Sequence, residues 1–200
     1  MTMALQNLSE RISGCRLCAD RFAATVTAHA PRPVLYPSTT ARLLIASQAP
    51  GARVQSSGVP FDDASGDRLR DWLGLDRARF YDRSRIAIVP MAFCFPGYDA
   101  RGADLPPPKT CAETWRAEVL AAMPQIELTL LVGQYAQAWH LGHRARPTLT
   151  ETVRAWREYR PAVLPLPHPS WRNTAWLKRN LWFADEVLPW LRAEVRRLAG

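Results

Sequence analysis

The residues that decide the fold run Leu43-Leu44-Ile45-Ala46-Ser47, then Gln48-Ala49-Pro50-Gly51, then Gly58-Val59-Pro60-Phe61 and Ser65-Gly66-Asp67. The first five are small or apolar and contain no turn former, which is the pattern of a strand buried on both faces. A turn containing Pro50 and Gly51 follows directly. In open α/β sheets the ligand crevice lies where the chain leaves the carboxyl end of a parallel strand. Pro50 fixes the bend, and Gly51 lets backbone N–H groups come close to a ligand. Residues 58–61 form a second loop that can fold back over the same crevice. Ser65-Gly66-Asp67 then opens a helix with Leu69, Trp72 and Leu73 on its apolar side.

The rest of the chain repeats the alternation. Residues 3–13 predict an amphipathic helix with Leu5, Leu8 and Ile12 on one face. Residues 29–40 contain Pro31, Pro33 and Pro37 and predict an extended surface segment. Residues 85–89 are a second strand, and a long loop over 90–109 follows, with Pro96, Gly97, Gly102 and Pro106-Pro107-Pro108. A loop of that length in a compact domain is usually functional or tied down. Thr110 is the expected N-cap of a helix over 111–123. Residues 127–132 form a third strand, 134–141 a helix stopped by Gly142, and Thr148 caps a helix over 149–159. Residues 163–166 form the fourth strand, and a last helix covers about 181–197. Strands alternating with helices predict an α/β fold: a three-layer α/β/α sandwich around a central four-stranded parallel sheet, in one domain over residues 1–200.

Composition narrows the class. In 200 residues, 48% hydrophobic and 22% charged content is ordinary for a soluble globular domain. No apolar run approaches the ~20 residues needed to span a bilayer. The N-terminus lacks a basic region followed by an apolar segment, so a cytoplasmic protein is expected, and a monomer. The net charge is +8, and it is uneven: residues 141–200 hold eleven Arg and Lys against five Asp and Glu. A basic C-terminal third is the electrostatic footprint of a nucleic-acid binder. Arg outnumbers Lys 24 to 2, so genome composition explains part of the excess.

Four cysteines are present: the pair in Cys15-Arg16-Leu17-Cys18, and Cys94 and Cys111 with sixteen residues between them. An even count in a cytoplasmic chain favours a metal centre over disulfides. A structural zinc ion and an iron–sulfur cluster both suit four thiolates.

This order of motifs resembles the uracil-DNA glycosylase superfamily, and within it the iron–sulfur branch, family 4. That branch carries Gly-Glu-Ala-Pro-Gly, then a Gly-x-Pro-Phe loop, then an Ala-Gly-x-Leu-Leu helix. The matching residues here are Ser47 to Gly51, Gly58 to Phe61 and Ala64 to Leu69, and the likeness continues at Cys94, Cys111, residues 150–156 and His168-Pro169-Ser170. The resemblance implies a glycosylase that hydrolyses the N-glycosidic bond of a deaminated base, uracil first, flipped out of DNA. It also implies a [4Fe–4S] cluster on Cys15, Cys18, Cys94 and Cys111, with zinc as the alternative, and DNA containing a damaged base as the partner.

Base excision needs a stacking platform, stabilisation of the departing base anion and a positioned water. His168, on a proline-flanked turn, matches the residue that donates to the base anion; a plain surface turn is its other reading. Phe61 is the stacking platform or a core residue, and Ala49, Pro50 and Gly51 supply backbone to the base or the water. Ser170, Trp171, Arg172 and Asn173 match the loop that approaches the minor groove, with Trp171 or Arg172 as wedge and Ser170 and Asn173 on phosphate. Trp171 as simple packing fits equally well. His29, His140 and His143 match no motif and read as ordinary surface or half-buried residues.

Two positions depart from the family. Gln48 replaces the catalytic Glu; an amide cannot act as a base but can orient a water, which implies a slow enzyme, with Asp63 as a substitute carboxylate. Pro90 replaces an Asn that reads the uracil edge, which opens hypoxanthine or xanthine as alternative substrates. A lesion-binding protein of the same fold without turnover, and an unrelated nucleotide-binding α/β enzyme, are the remaining readings.

Overall fold

A computed structural model describes residues 3–200. Strands β1 (Leu43–Ala46), β2 (Ile86–Ile88), β3 (Leu128–Val132) and β4 (Val163–Leu166) form one sheet in the order β2-β1-β3-β4. Every pairing is parallel, with Leu43 opposite Ile86 and Leu128, and Leu130 opposite Leu164. The helices are α1 (Met3–Ser13), α2 (Ala19–Ala23), α3 (Ala52–Ser57), α4 (Ala64–Leu73), α5 (Arg77–Phe80), α6 (Lys109–Ala121), α7 (Gln134–Leu141), α8 (Leu149–Arg154), α9 (Thr174–Arg179) and α10 (Leu188–Ala199).

Alternation along the strands sorts these helices into two layers. Leu43, Ile45, Ile86, Ile88, Leu128 and Leu130 face one core, which they share with Leu69 and Leu73 of α4 and Leu191 and Val195 of α10. Leu44, Ala87 and Val89 face the other side, against Leu5, Leu8 and Ile12 of α1 and Val119 of α6. Ala46 and Leu131 meet Ala136 and Leu141 of α7 on that same side. Both faces of the sheet are therefore covered, which is why the strands read as continuous apolar runs. The α/β sandwich with a four-stranded parallel sheet is the fold the sequence predicts.

Details differ at the edges. The helix expected from Thr110 begins at Lys109, because Pro108 holds an extended N-cap conformation (φ −60°, ψ 121°) and Thr110 falls inside the first turn. The helix expected over 149–159 breaks after Arg154 and resumes as one 3-10 turn, Trp156–Glu158. The last helix starts as a π turn, Phe183–Val187, before α10. The segment expected to run over the surface at 29–40 is partly internal. Val34 and Ser38 are buried, and Tyr36 pairs antiparallel with Ile88, covering the free edge of β2. Among the described residues, no helix is long and apolar enough to cross a membrane.

Candidate active site

All four strands end at one cleft of about 580 Å³. Ser47 to Gly51 leave β1, Pro90 leaves β2, Gly133 and Gln134 leave β3, and His168 leaves β4; all of them line the cleft. Phe61 and Asp63 close it from the loop before α4, while Asp104, Ser170, Trp171, Arg172 and Asn173 form its rim. Gln48, Phe61 and His168, far apart in sequence, thus share one cavity.

His168 is held by its neighbours. The Ser170 backbone N–H donates to Nδ1 at 3.2 Å, and the Asn173 side-chain amide donates to the His168 carbonyl at 2.8 Å. Arg68 of α4 donates to the Ser170 carbonyl at 2.8 Å and to the Thr174 hydroxyl at 3.3 Å, so α4 pins the whole turn. Gly133 packs beside the imidazole; a Cβ there would lie 3.5 Å from the His168 Cβ, and its φ of +87° favours glycine. Burial pushes the His168 pKa down, helped by Arg172 and opposed by Asp63 and Asp104. A neutral imidazole that accepts at Nδ1 carries its proton on Nε2, where it can donate.

Phe61 sits at a strained point. Its φ is +56°, a left-handed conformation that costs a bulky side chain on the order of 1–3 kcal/mol. The surroundings hold it there. Tyr81 donates to the Pro60 carbonyl at 2.8 Å, and buried Arg70 reaches the Phe61 carbonyl at 3.4 Å. Gly66 leaves room for that carbonyl, since a Cβ on Gly66 would lie 1.8 Å from it. The ring packs edge-on against Phe80, with centroids 6.1 Å apart. Asp63 is the N-cap of α4, its Oδ1 accepting the Gly66 N–H at 2.9 Å.

Pro90 lines the cleft, but its carbonyl accepts from Arg116 at 3.1 Å. The backbone N–H groups of Met91 and Ala92 donate to the carbonyls of Ser47 and Gln48. The Gln48 side chain makes no hydrogen bond among the described residues and remains available to the cleft. Trp171 is 74% exposed, which rules out packing as its role, and Arg172 pairs with Asp104 at 3.5 Å across the rim.

The Uracil DNA glycosylase superfamily matches residues 33–192 of the chain. The chain belongs to the uracil DNA glycosylase superfamily. Membership supports a DNA glycosylase in general, a hydrolase acting on DNA. The superfamily match also covers both departures, Gln48 and Pro90, together with the cleft that contains them.

A second, apolar cavity is lined by Cys15, Cys18, Cys94 and Cys111, with Phe22, Phe93 and Trp115. Burial pushes the Cys94 thiol up to about 12 and Cys111 to about 11, with repulsion between the cysteines adding to both. Burial raises Cys18 too. The Phe93 N–H donates to Cys111 Sγ at 3.4 Å. Among the described residues, no group of three or more His, Cys, Asp or Glu has the arrangement of a site for a metal ion. The donor set nevertheless suits a thiolate-bound centre: four cysteines line one apolar cavity, and Trp115, which also lines it, has a buried Nε1–H without an acceptor.

Sequence reasoning missed several residues of this glycosylase. Arg68, Asp104, Gln134, Arg116 and His140 belong to the cleft or to its supports. His140 is not an idle residue: its Nε2 accepts from the Arg116 guanidinium at 3.0 and 2.7 Å, and burial beside that charge pushes its pKa down to about 3. His29 ties Thr27 to the Phe95 carbonyl between the rings of Phe22 and Phe95, a structural role.

Proposed function

We propose that the chain is a monofunctional DNA glycosylase that hydrolyses the N-glycosidic bond of a deaminated base, uracil first, flipped out of DNA in base-excision repair. The observation that carries this reading is the convergence of Gln48, Phe61 and His168 on one cleft at the carboxyl ends of the strands. In this reading the extruded base stacks on Phe61. The His168 Nε2–H donates to a carbonyl oxygen of the base as negative charge builds there, and the bond to C1′ breaks. The Gln48 amide orients a water towards C1′. That water adds to the sugar, its proton goes to bulk solvent, and an abasic site remains. The cleft has no lysine in its lining, so Schiff-base strand cleavage has no nucleophile there. Trp171 and Arg172 fill the gap in the duplex, and the Ser170 hydroxyl reaches the backbone, with Asn173 secondary to it because its amide already donates to the His168 carbonyl.

Cys15, Cys18, Cys94 and Cys111 would hold a [4Fe–4S] cluster, placing the chain in the family 4 branch. A single zinc ion draws its thiolates to within about 4 Å of one another, given Zn–S bonds of ~2.3 Å, whereas a cubane holds them further apart. Four cysteines around one cavity supply the ligands that either centre needs, and the likeness of the motif order to the family 4 branch favours the cluster. The cluster would supply architecture, joining the turn after α1 to the 90–109 loop and α6.

The test is incubation of purified protein with oligonucleotides carrying uracil, hypoxanthine or xanthine, followed by alkali. Cleavage at one lesion names the base. Tight binding without cleavage at any of them supports a lesion-binding protein instead.

A further inference from the structure

Two consecutive residues of α6 have needs that the protein leaves unmet. Trp115 is 9% exposed, lines the thiol cavity and has a buried Nε1–H with no acceptor. A buried donor without a partner costs about 1–3 kcal/mol. The Trp156 indole is also unpartnered, but it lines neither cavity.

Arg116 is 1% exposed. Its N–H groups meet neutral acceptors only: His140 Nε2 and the carbonyls of Val89 and Pro90. No Asp or Glu pairs with it among the described residues. A buried guanidinium without an anion is costly even when its hydrogen bonds are made. Cys111, five residues back on the same helix, lines the thiol cavity, and so do residues 92–94, which follow the Val89 and Pro90 carbonyls that Arg116 holds.

One anionic centre in the thiol cavity would answer both needs. We propose that Trp115 and Arg116 are tuning residues of that centre, Trp115 donating its indole N–H to a sulfur and Arg116 supplying the opposing charge. This rests on the reading that the four cysteines hold a [4Fe–4S] cluster. In such a cluster the negative charge of the thiolates exceeds the positive charge of the core, so a donor and a cation are both favourable. Each also stabilises the reduced, more negative state and so raises the reduction potential. The same guanidinium props the Val89 and Pro90 carbonyls, so the charge that balances the cluster also fixes one wall of the base cleft.

The experiment is iron analysis and a potentiometric titration followed by electron paramagnetic resonance, on the protein as purified and on Trp115→Phe. Phe keeps a ring and removes the N–H. The expected result is an iron-loaded wild type and a Trp115→Phe midpoint shifted to more negative potential. Arg116→Gln should shift the same way, with Arg116→Lys closer to wild type. An iron-free wild type overturns the cluster reading and this inference together. An iron-loaded wild type whose potential is unchanged in Trp115→Phe, or moves positive as water enters, overturns this inference alone. Should Trp115→Phe fail to assemble, the reduced wild type labelled with 15N-indole tryptophan decides: one coupled indole nitrogen is expected, and no coupling overturns the proposal.

Discussion

The backbone N–H of Ser170 donates to Nδ1 of His168 over 3.2 Å, which leaves the proton of the neutral imidazole on Nε2. Burial lowers the pKa of this ring, so the neutral form persists below the ordinary histidine range of ~6.5. Protonating Nδ1 would set N–H against N–H. Base excision is therefore expected to be independent of pH from ~6.5 upwards and to fall in more acid solution. Single-turnover rates across pH 5 to 8 check this. A rate that rises steadily as pH falls through this range would mean that an imidazolium is the active form.

Gln48 has a free amide in the cleft where a carboxylate would serve as base. General-base catalysis contributes about 10²–10⁴-fold. Gln48→Glu is expected to raise the single-turnover rate by at least ~10-fold, while Gln48→Ala lowers it through loss of water orientation. Equal rates for all three side chains would remove Gln48 from the chemistry.

Phe61 and Gly66 form one device. Gly66→Ala places a methyl 1.8 Å from the Phe61 carbonyl, so the loop must move, at a cost of about 2 kcal/mol or more. Urea unfolding should show that loss, and DNA binding should weaken with it. Phe61→Gly removes the ring but suits the positive φ. It should lose the ~1–3 kcal/mol of base stacking while losing less stability than Phe61→Ala. A Phe61→Gly variant with unchanged affinity for lesion DNA would rule out stacking.

His140 predicts a pH-dependent stability. Its folded-state pKa of about 3 lies below the ordinary 6.5. Its contribution is therefore complete above pH 6.5 and is lost as pH falls towards 3, because the unfolded chain takes up the proton first. The urea midpoint should drop between pH 7.5 and pH 5. The drop should be smaller in His140→Gln, whose amide oxygen can still accept from Arg116. An identical drop in both proteins would show that other groups govern it.

Much of the sheet could be read because its strands are buried on both faces and leave plain apolar runs, as in Leu43 to Ala46. His168 and Phe61 could be read because each sits in a short motif at a strand end or loop. The supports could not. Arg68 and Arg116 lie on helices where an arginine reads as solvated surface, and their partners Ser170 and Pro90 are 102 and 26 residues away. Nothing local marks Phe61 for a positive φ, since that strain is imposed by Tyr81 and Arg70 from outside the loop. The N-cap role of Asp63 was available from its place just before Ala64-Ser65-Gly66.

The most direct test of the convergence of Gln48, Phe61 and His168 is the release of free base from a uracil-containing oligonucleotide, followed by mass spectrometry at enzyme excess. Free uracil and an intact abasic strand are expected from the wild type, with release at least ~100-fold slower in His168→Leu, as for loss of one anion-stabilising donor. Release at the same rate from both proteins would contradict it.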